Sequence, residues 1–167
     1  MGEEAQAVWF ENHFRCGLEY VKNQKVGVAR DYKIIHRCID SPLQASDIQQ
    51  FVEFKCDHTC AKTGNLYLEY EQTFNYGMNY QPSGMVLAVD QSAFIVFSVK
   101  YAGCIHHYVF PSDAMRLLLT RKLRSVRTHP NKNGNPNGCW TNGFLLPVKS
   151  IPVSFRQTER ISDQTLR

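Results

Sequence analysis

The residues best suited to chemistry lie in FVEFKCDHTCAKTGNLYLEYEQ, residues 51–72. Glu53 and Lys55 stand two positions apart in an apolar run. In a strand of period two they project from one face, while Val52, Phe54 and Cys56 line the other. A carboxylate and an ammonium on one rigid face suit metal-assisted phosphodiester hydrolysis once a second carboxylate joins them. Mg²⁺ or Mn²⁺ takes hard oxygen ligands, usually one or two carboxylates plus waters and substrate phosphate. The metal polarises the phosphoryl oxygen and acidifies a bound water. A nearby ammonium orients that water or neutralises charge developing on the phosphate. By itself the Glu-x-Lys spacing equally describes charge pairing on a surface hairpin.

The second carboxylate has two candidates. Asp40 closes the run YKIIHRCI and lies 13 residues before Glu53, which leaves room for a loop and a return strand. Asp47 is six residues before Glu53 and fits only at the bend of a tight hairpin. Loop-length priors favour Asp40. Asp57, Glu69 and Glu71 either extend the acidic edge and hold a second metal, or face solvent on the hairpin. Thr63, Gly64 and Asn65 suit the turn between strands, where Gly or Asn accepts positive φ. His36, His58, His106 and His107 are further candidate bases, although a single His on a strand more often packs or faces solvent. Tyr76, Tyr80 and Trp140 lie in loops, where they either pack or stack on bases.

Positioning these groups requires a sheet. EEAQAVWFENHFRCGLEYVKN repeats apolar residues at Phe10, Phe14, Leu18 and Val21, which predicts a helix through Val21. YKIIHRCI and FVEFKC read as strands, separated by a loop containing Pro42. After the AKTGN turn, LYLEYEQTF reads as a third strand. MVLAVD and AFIVFSV are apolar runs expected to be strands, followed by the short HHYVF. PSDAMRLLLTRKLRSV opens with Ser112 as helix cap and Asp113 in the first turn. THPNKNGNPNG is a loop, GFLLPVKSIPVSF supplies a last strand, and residues 158–167 form a frayed tail or an extra helix. The order predicts an α/β (α+β) chain, one domain over 1–167, with a central mixed sheet flanked by helices.

Composition fits this: 43% hydrophobic, 12% aromatic and 20% charged residues in 167. No run reaches the roughly 18 apolar residues of a membrane span. MGEEAQAVWF is acidic and lacks the apolar block of a secretion signal, so a cytoplasmic location is expected. Gln6 stands where a myristoylation motif needs Ser or Thr. Without a signal, the six cysteines read as free thiols. A zinc site from Cys56, His58, Cys60 and Cys104 is the rival, with no closely spaced doublets to support it. The net charge of +4 concentrates at Arg121, Lys122, Arg124, Arg127 and Lys132, a candidate nucleic-acid-binding segment or simply a solvated helix end.

An Asp, a loop and strand, then an apolar strand with Glu-x-Lys resembles the PD-(D/E)XK nuclease superfamily. EFKCD, followed by KTGNLYLEYE and later PSGM, is similar to its small phage and bacterial members, over residues 40 to 85 or so. Ile39 stands where the motif has Pro. The resemblance implies a restriction-endonuclease-like core: a leading helix, a meander of strands bearing the site, a later helix and a final strand. It implies Asp40 and Glu53 as metal ligands with the Phe54 carbonyl, and Lys55 as the catalytic lysine. Many members add an acid from the first helix, for which Glu11 and Glu19 are candidates; Asp47 and Glu69 complete the additional acids. The expected function is a Mg²⁺- or Mn²⁺-dependent DNA endonuclease acting on branched DNA or on a particular duplex. A symmetric homodimer would supply two sites for two strands, and host cytoplasm would be the location of a phage-encoded form. The alternative is a non-catalytic nucleic-acid-binding or host-defence-modulating protein on the same fold.

Overall fold

The computed structural model describes residues 2–21, 32–73, 79–123, 129–131 and 140–160. Helix α1 (Glu3–Phe14) buries Gln6, Ala7 and Phe10 and stops at Arg15, whose backbone is left-handed at φ 50 and ψ 56. The helix expected through Val21 therefore ends seven residues early, and Cys16–Tyr20 is strand β1 instead. Its register explains the change: β1 pairs antiparallel with β2 (Tyr32–Arg37), Gly17 opposite His36. The His36 imidazole lies over Gly17, 2.3 Å from where a Cβ would stand, so a larger residue there would have to push that exposed ring aside. Long-range pairing outweighed a local helical spacing that was only approximate.

Strand β3 (Phe51–Cys56) pairs antiparallel with β2 at Lys33↔Phe51 and Tyr32↔Val52. The chain then forms α2 (Cys60–Thr63), ended by Gly64 in the left-handed region at φ 68. Strand β4 (Asn65–Thr73) and the two-residue β5 (Gln81–Pro82) follow. MVLAV, expected as a strand, lies in helix α3 (Gly84–Val89), because the Ser83 hydroxyl accepts the Val86 N–H as an N-cap. Strands β6 (Ser92–Tyr101) and β7 (Cys104–Pro111) and helix α4 (Ser112–Leu123) match the sequence expectation. Strands β8 (His129–Asn131) and β9 (Trp140–Pro147) precede β10 (Arg156–Arg160), which takes the start of the expected frayed tail. Residues 161–167 lie outside the described residues.

The larger sheet runs β1-β2-β3-β6-β7-β10, and the smaller runs β5-β4-β9-β8. Strands β3 and β6 are parallel and the other pairs of the larger sheet antiparallel, so that sheet is mixed. Helix α1 covers one face through Ala7 and Phe10, against Ile34, Val52, Phe54, Val96 and Val109. Helices α3 and α4 and the smaller sheet cover the other, where Leu66, Leu68 and Phe144 meet Ile95, Phe97 and Met115. Each fully buried large apolar side chain here contributes about 1.5–3 kcal/mol. No described helix is long and apolar enough to cross a membrane.

Candidate active site

Glu53 and Lys55 pair in register with Ile95 and Phe97 of β6. Those two belong to the core between the sheets, so the acid and the lysine point toward the smaller sheet. Glu53 is 1% exposed, and its Oε1 is ion-paired with Lys55 Nζ, whose side chain is 38% exposed. Its other oxygen, Oε2, is buried without a hydrogen-bond partner. A buried polar atom left unsatisfied costs roughly 1–3 kcal/mol, so it marks either strain or a missing ligand. Burial pushes the Glu53 carboxyl above the ordinary glutamate value; Lys55 pulls it partly back, and Glu3 in the first turn of α1 pushes it up again.

A second carboxylate raised by burial lies on the smaller sheet. Burial also raises the Glu69 carboxyl, against the charge of Lys55 and a hydrogen bond from Thr141. Lys55 thus acts electrostatically on two carboxylates from strands of different sheets. Glu69 reaches this place because β4 is fastened back onto the end of β3. Asp57, two residues past Lys55, accepts N–H groups of Thr59 and Cys60 on Oδ1 at 3.0 and 2.9 Å, and of Tyr67 on Oδ2 at 3.0 Å. Opposite Glu69 stands Gly143, where a Cβ would lie 2.6 Å from both the Leu68 carbonyl oxygen and the Tyr67 ring. Helix α1 supports the site from behind: Gln6 is fully buried, donates Nε2 to the Lys55 carbonyl at 3.0 Å, and accepts the Cys56 thiol at 3.5 Å.

The other expected acids lie elsewhere. Asp40 is exposed and ion-paired with Arg15. Since Tyr32 is opposite Val52, Glu53 lies beyond the Tyr32 end of β2 while Asp40 lies past its Arg37 end, so the structure does not bring them together. Asp47 accepts the Gln44 N–H at 2.7 Å in a one-turn helical cap. Glu11 accepts the Leu18 N–H at 2.7 Å and so fixes the helix-to-strand corner. Glu19 is exposed opposite Lys33. Glu71 accepts Asn142 Nδ2 at 3.2 Å. Arg121 and Lys122 lie in the last turn of α4; Arg124, Arg127 and Lys132 fall outside the described residues.

His107 is fully buried on the α1-covered face of the larger sheet, opposite Glu53 and Lys55, and was not distinguished from the other histidines by sequence. Its ring stacks on Trp9 of α1 at 3.6 Å and 8°, and its Nδ1 is 2.8 Å from the Ser98 hydroxyl. Burial, with His13 and His106 nearby, pushes it down to about 4, which keeps it neutral at pH 7. It clamps helix to sheet rather than serving as an exposed base.

Glu53 offers a buried carboxylate with one unsatisfied oxygen, the hard oxygen donor that a divalent cation takes, and Glu69 offers a second buried carboxylate on the neighbouring sheet within reach of the Lys55 charge. Among the described residues no three His, Cys, Asp or Glu side chains gather to cage a metal unaided, Cys56, His58, Cys60 and Cys104 included. A cation bound here would complete its shell with water and substrate phosphate, the usual Mg²⁺ arrangement. Burial raises the thiols of Cys56 and Cys60, the latter to about 11, so both are protonated at neutral pH. Compared with protein-family models, curated proteins and solved structures, the chain matches none.

Proposed function

We propose that the chain is a Mg²⁺- or Mn²⁺-dependent DNA endonuclease with Glu53, Lys55 and Glu69 at its centre. The observation that carries this is the orphaned Oε2 of Glu53, buried beside a half-exposed lysine whose charge also acts on a second raised carboxylate. An ion pair with only a structural role has every reason to satisfy both oxygens or to leave the core. A ligand oxygen awaiting a cation does not. The element order adds support: a leading helix and an antiparallel three-strand meander, then, after α2, β4, β5 and α3, a strand parallel to the third. The resemblance expects a leading helix, a meander of strands bearing the site and a later helix and strand, and here Glu-x-Lys lies on the third strand of the meander. In this reading Glu69 takes the place expected of Asp40.

Glu53, Glu69 and the Phe54 carbonyl would hold the cation. When bound, it supplies Lewis-acid polarisation of the phosphate and a more acidic water. Lys55, at the water-accessible mouth of the pair, orients the attacking water by hydrogen bonding and offsets charge developing on the phosphate. Gln6 and Asp57 hold the two strands in the geometry this needs. The net charge of +4 and the basic run from Arg121 draw the DNA backbone, and two copies of the chain would cut two strands. The test is nicking of supercoiled plasmid in Mg²⁺ or EDTA by the wild type and Lys55→Ala. Cation-dependent nicking lost in the variant supports the proposal; DNA binding without cleavage under all conditions indicates a binding module instead.

A further inference from the structure

Leu66, Leu68 and Tyr70 of β4 turn into the core. Tyr67 and Glu69, two positions apart with no register shift between them, therefore share the opposite face. The residue facing Glu69 across the ladder is Gly143 of β9. Side chains directly opposite in an antiparallel pair stand about 4.5–5.5 Å apart at Cβ. A Cβ on Gly143 would lie 2.6 Å from Cζ and 2.7 Å from Cε2 of Tyr67. The phenol end of Tyr67 thus fills the cross-strand place beside Glu69 that glycine leaves empty. From there its hydroxyl donates to the Thr141 carbonyl at 3.1 Å and lies 3.4 Å from Thr141 Oγ1. The Thr141 side chain in turn hydrogen-bonds the Glu69 carboxylate. At its other end Tyr67 donates its N–H to Asp57 Oδ2 at 3.0 Å, two residues past Lys55.

We propose that Tyr67 and Thr141 are positioning residues for Glu69, the ring limiting its rotamers and the threonine hydroxyl fixing the rotation of its carboxylate. The inference rests on the nuclease reading, in which Glu69 is a metal ligand, and adds the residues that aim it. A glutamate side chain has several rotatable bonds, and only part of its range directs the carboxylate at one point. The Tyr67 ring closes the side toward β9. A threonine hydroxyl alone could swing away, but the Tyr67 hydroxyl holds the Thr141 backbone and so fixes where that donor stands. The Asp57 bond ties Tyr67 to the strand that carries Lys55, which puts the lysine and the glutamate on one frame. Partners that hydrogen-bond a ligating carboxylate orient it, and losing one typically costs about 10–100-fold in metal affinity or activity. If Tyr67 and Thr141 only stitched β4 to β9, their removal would cost stability by the same amount whether or not Glu69 were present.

The test has one arm without metal and one with it. In EDTA, urea unfolding of wild type, Thr141→Val, Glu69→Ala and the double variant forms a double-mutant cycle. Thr141→Val should shift the unfolding constant at least about threefold more in wild type than in the Glu69→Ala background, and Thr141→Ser, which keeps the hydroxyl, should behave as wild type. In the second arm, Mg²⁺ is titrated calorimetrically without DNA, and initial nicking rates are measured against Mg²⁺ concentration. Thr141→Val should weaken Mg²⁺ affinity by about 10-fold or more, with KM for Mg²⁺ rising more than kcat falls. Tyr67→Phe should move both in the same direction, Thr141→Ser should stay within about threefold, and neither Thr141→Val nor Tyr67→Phe should add to the loss in Glu69→Ala. Independent effects of Thr141→Val and Glu69→Ala in EDTA overturn the proposal, as does Mg²⁺ affinity that depends on Glu69 and not on Thr141; the nuclease reading survives both. Coupling in EDTA with neither Mg²⁺ binding nor cleavage sinks the nuclease reading and leaves Tyr67 and Thr141 as the residues that position Glu69.

Discussion

Replacing Glu53 with Gln separates a functional carboxylate from a structural one, because the two roles predict opposite changes in stability. The side chain is 1% exposed and one of its oxygens has no partner. Burying one carboxylate costs several kcal/mol, offset in part by its ammonium partner, so removing the charge with little change of shape should stabilise the cation-free protein by about 1–2 kcal/mol. At about 2–4 °C per kcal/mol for a chain of this size, Tm rises by roughly 2–8 °C. The gain should depend on pH. The folded-state pKa of Glu53 is raised above the ordinary 4.5, so above pH 4.5 the native state binds more protons than the unfolded state. Wild-type stability therefore falls as pH rises through that window and then levels off. Melting curves from pH 4.5 to 8 should show a gap between Glu53→Gln and wild type that is small at the acid end and full at pH 8. Added Mg²⁺ should raise the wild-type Tm and not that of the variant; at tenfold excess over Kd the linkage gain is about 1.4 kcal/mol. A lower Tm for Glu53→Gln at pH 8, with Mg²⁺ stabilisation retained, would refute this reasoning and make the pair structural.

Four further outcomes are expected. Glu69→Gln should abolish Mg²⁺-dependent cleavage, whereas Asp40→Asn should leave it within about twofold and cost no more than about 1 kcal/mol of stability, as an exposed ion pair does; plasmid nicking and melting curves measure both. The acid limb of the pH–rate profile should lie above the ordinary carboxylate range, since burial raises both Glu53 and Glu69, and Lys55→Met should displace Mg²⁺ binding further to higher pH. His107, pushed down to about 4 from 6.5, binds fewer protons folded than unfolded between those values, so it should contribute about 3 kcal/mol that is complete above pH 6.5 and lost as pH falls toward 4. Urea titrations of wild type and His107→Asn should show that slope only in the former. Asp57→Ala should raise KM for Mg²⁺ and weaken cleavage by releasing β4 from β3, with Asp57→Glu recovering part of the loss, read by initial rates against Mg²⁺ concentration.

The sequence made the site strand legible because FVEFKC is a dense apolar run whose period-two alternation sets Glu53 and Lys55 on one face. Strands β4, β6 and β7 and helix α4 were legible for similar local reasons, Ser112 marking where the last begins. Strand β1 was not, since Phe10, Phe14 and Leu18 continue a helical spacing while the pairing of Gly17 under His36 is a long-range fact. Helix α3 was missed because MVLAV suits either state and only the Ser83 cap decides. The error that mattered most was the second carboxylate. Loop lengths placed Asp40 within reach, but the register of β2 against β3 points it away, toward Arg15. Alternation in LYLEYE set Glu69 apart from Leu68 and Tyr70, on the face turned away from the core; it could not say that the charge of Lys55, on the other sheet, would reach it. Contacts between sheets carry no local signature.

The most direct measurement is nicking of supercoiled plasmid by purified protein in Mg²⁺, with EDTA and with Lys55→Ala as controls. The expected result is conversion to open circles by the wild type, abolished by EDTA and reduced at least 100-fold, about 2.7 kcal/mol of transition-state stabilisation, in a Lys55→Ala protein that melts as a folded chain. Nicking that survives EDTA, or persists undiminished in Lys55→Ala, would contradict a cation-dependent centre built on Glu53, Lys55 and Glu69.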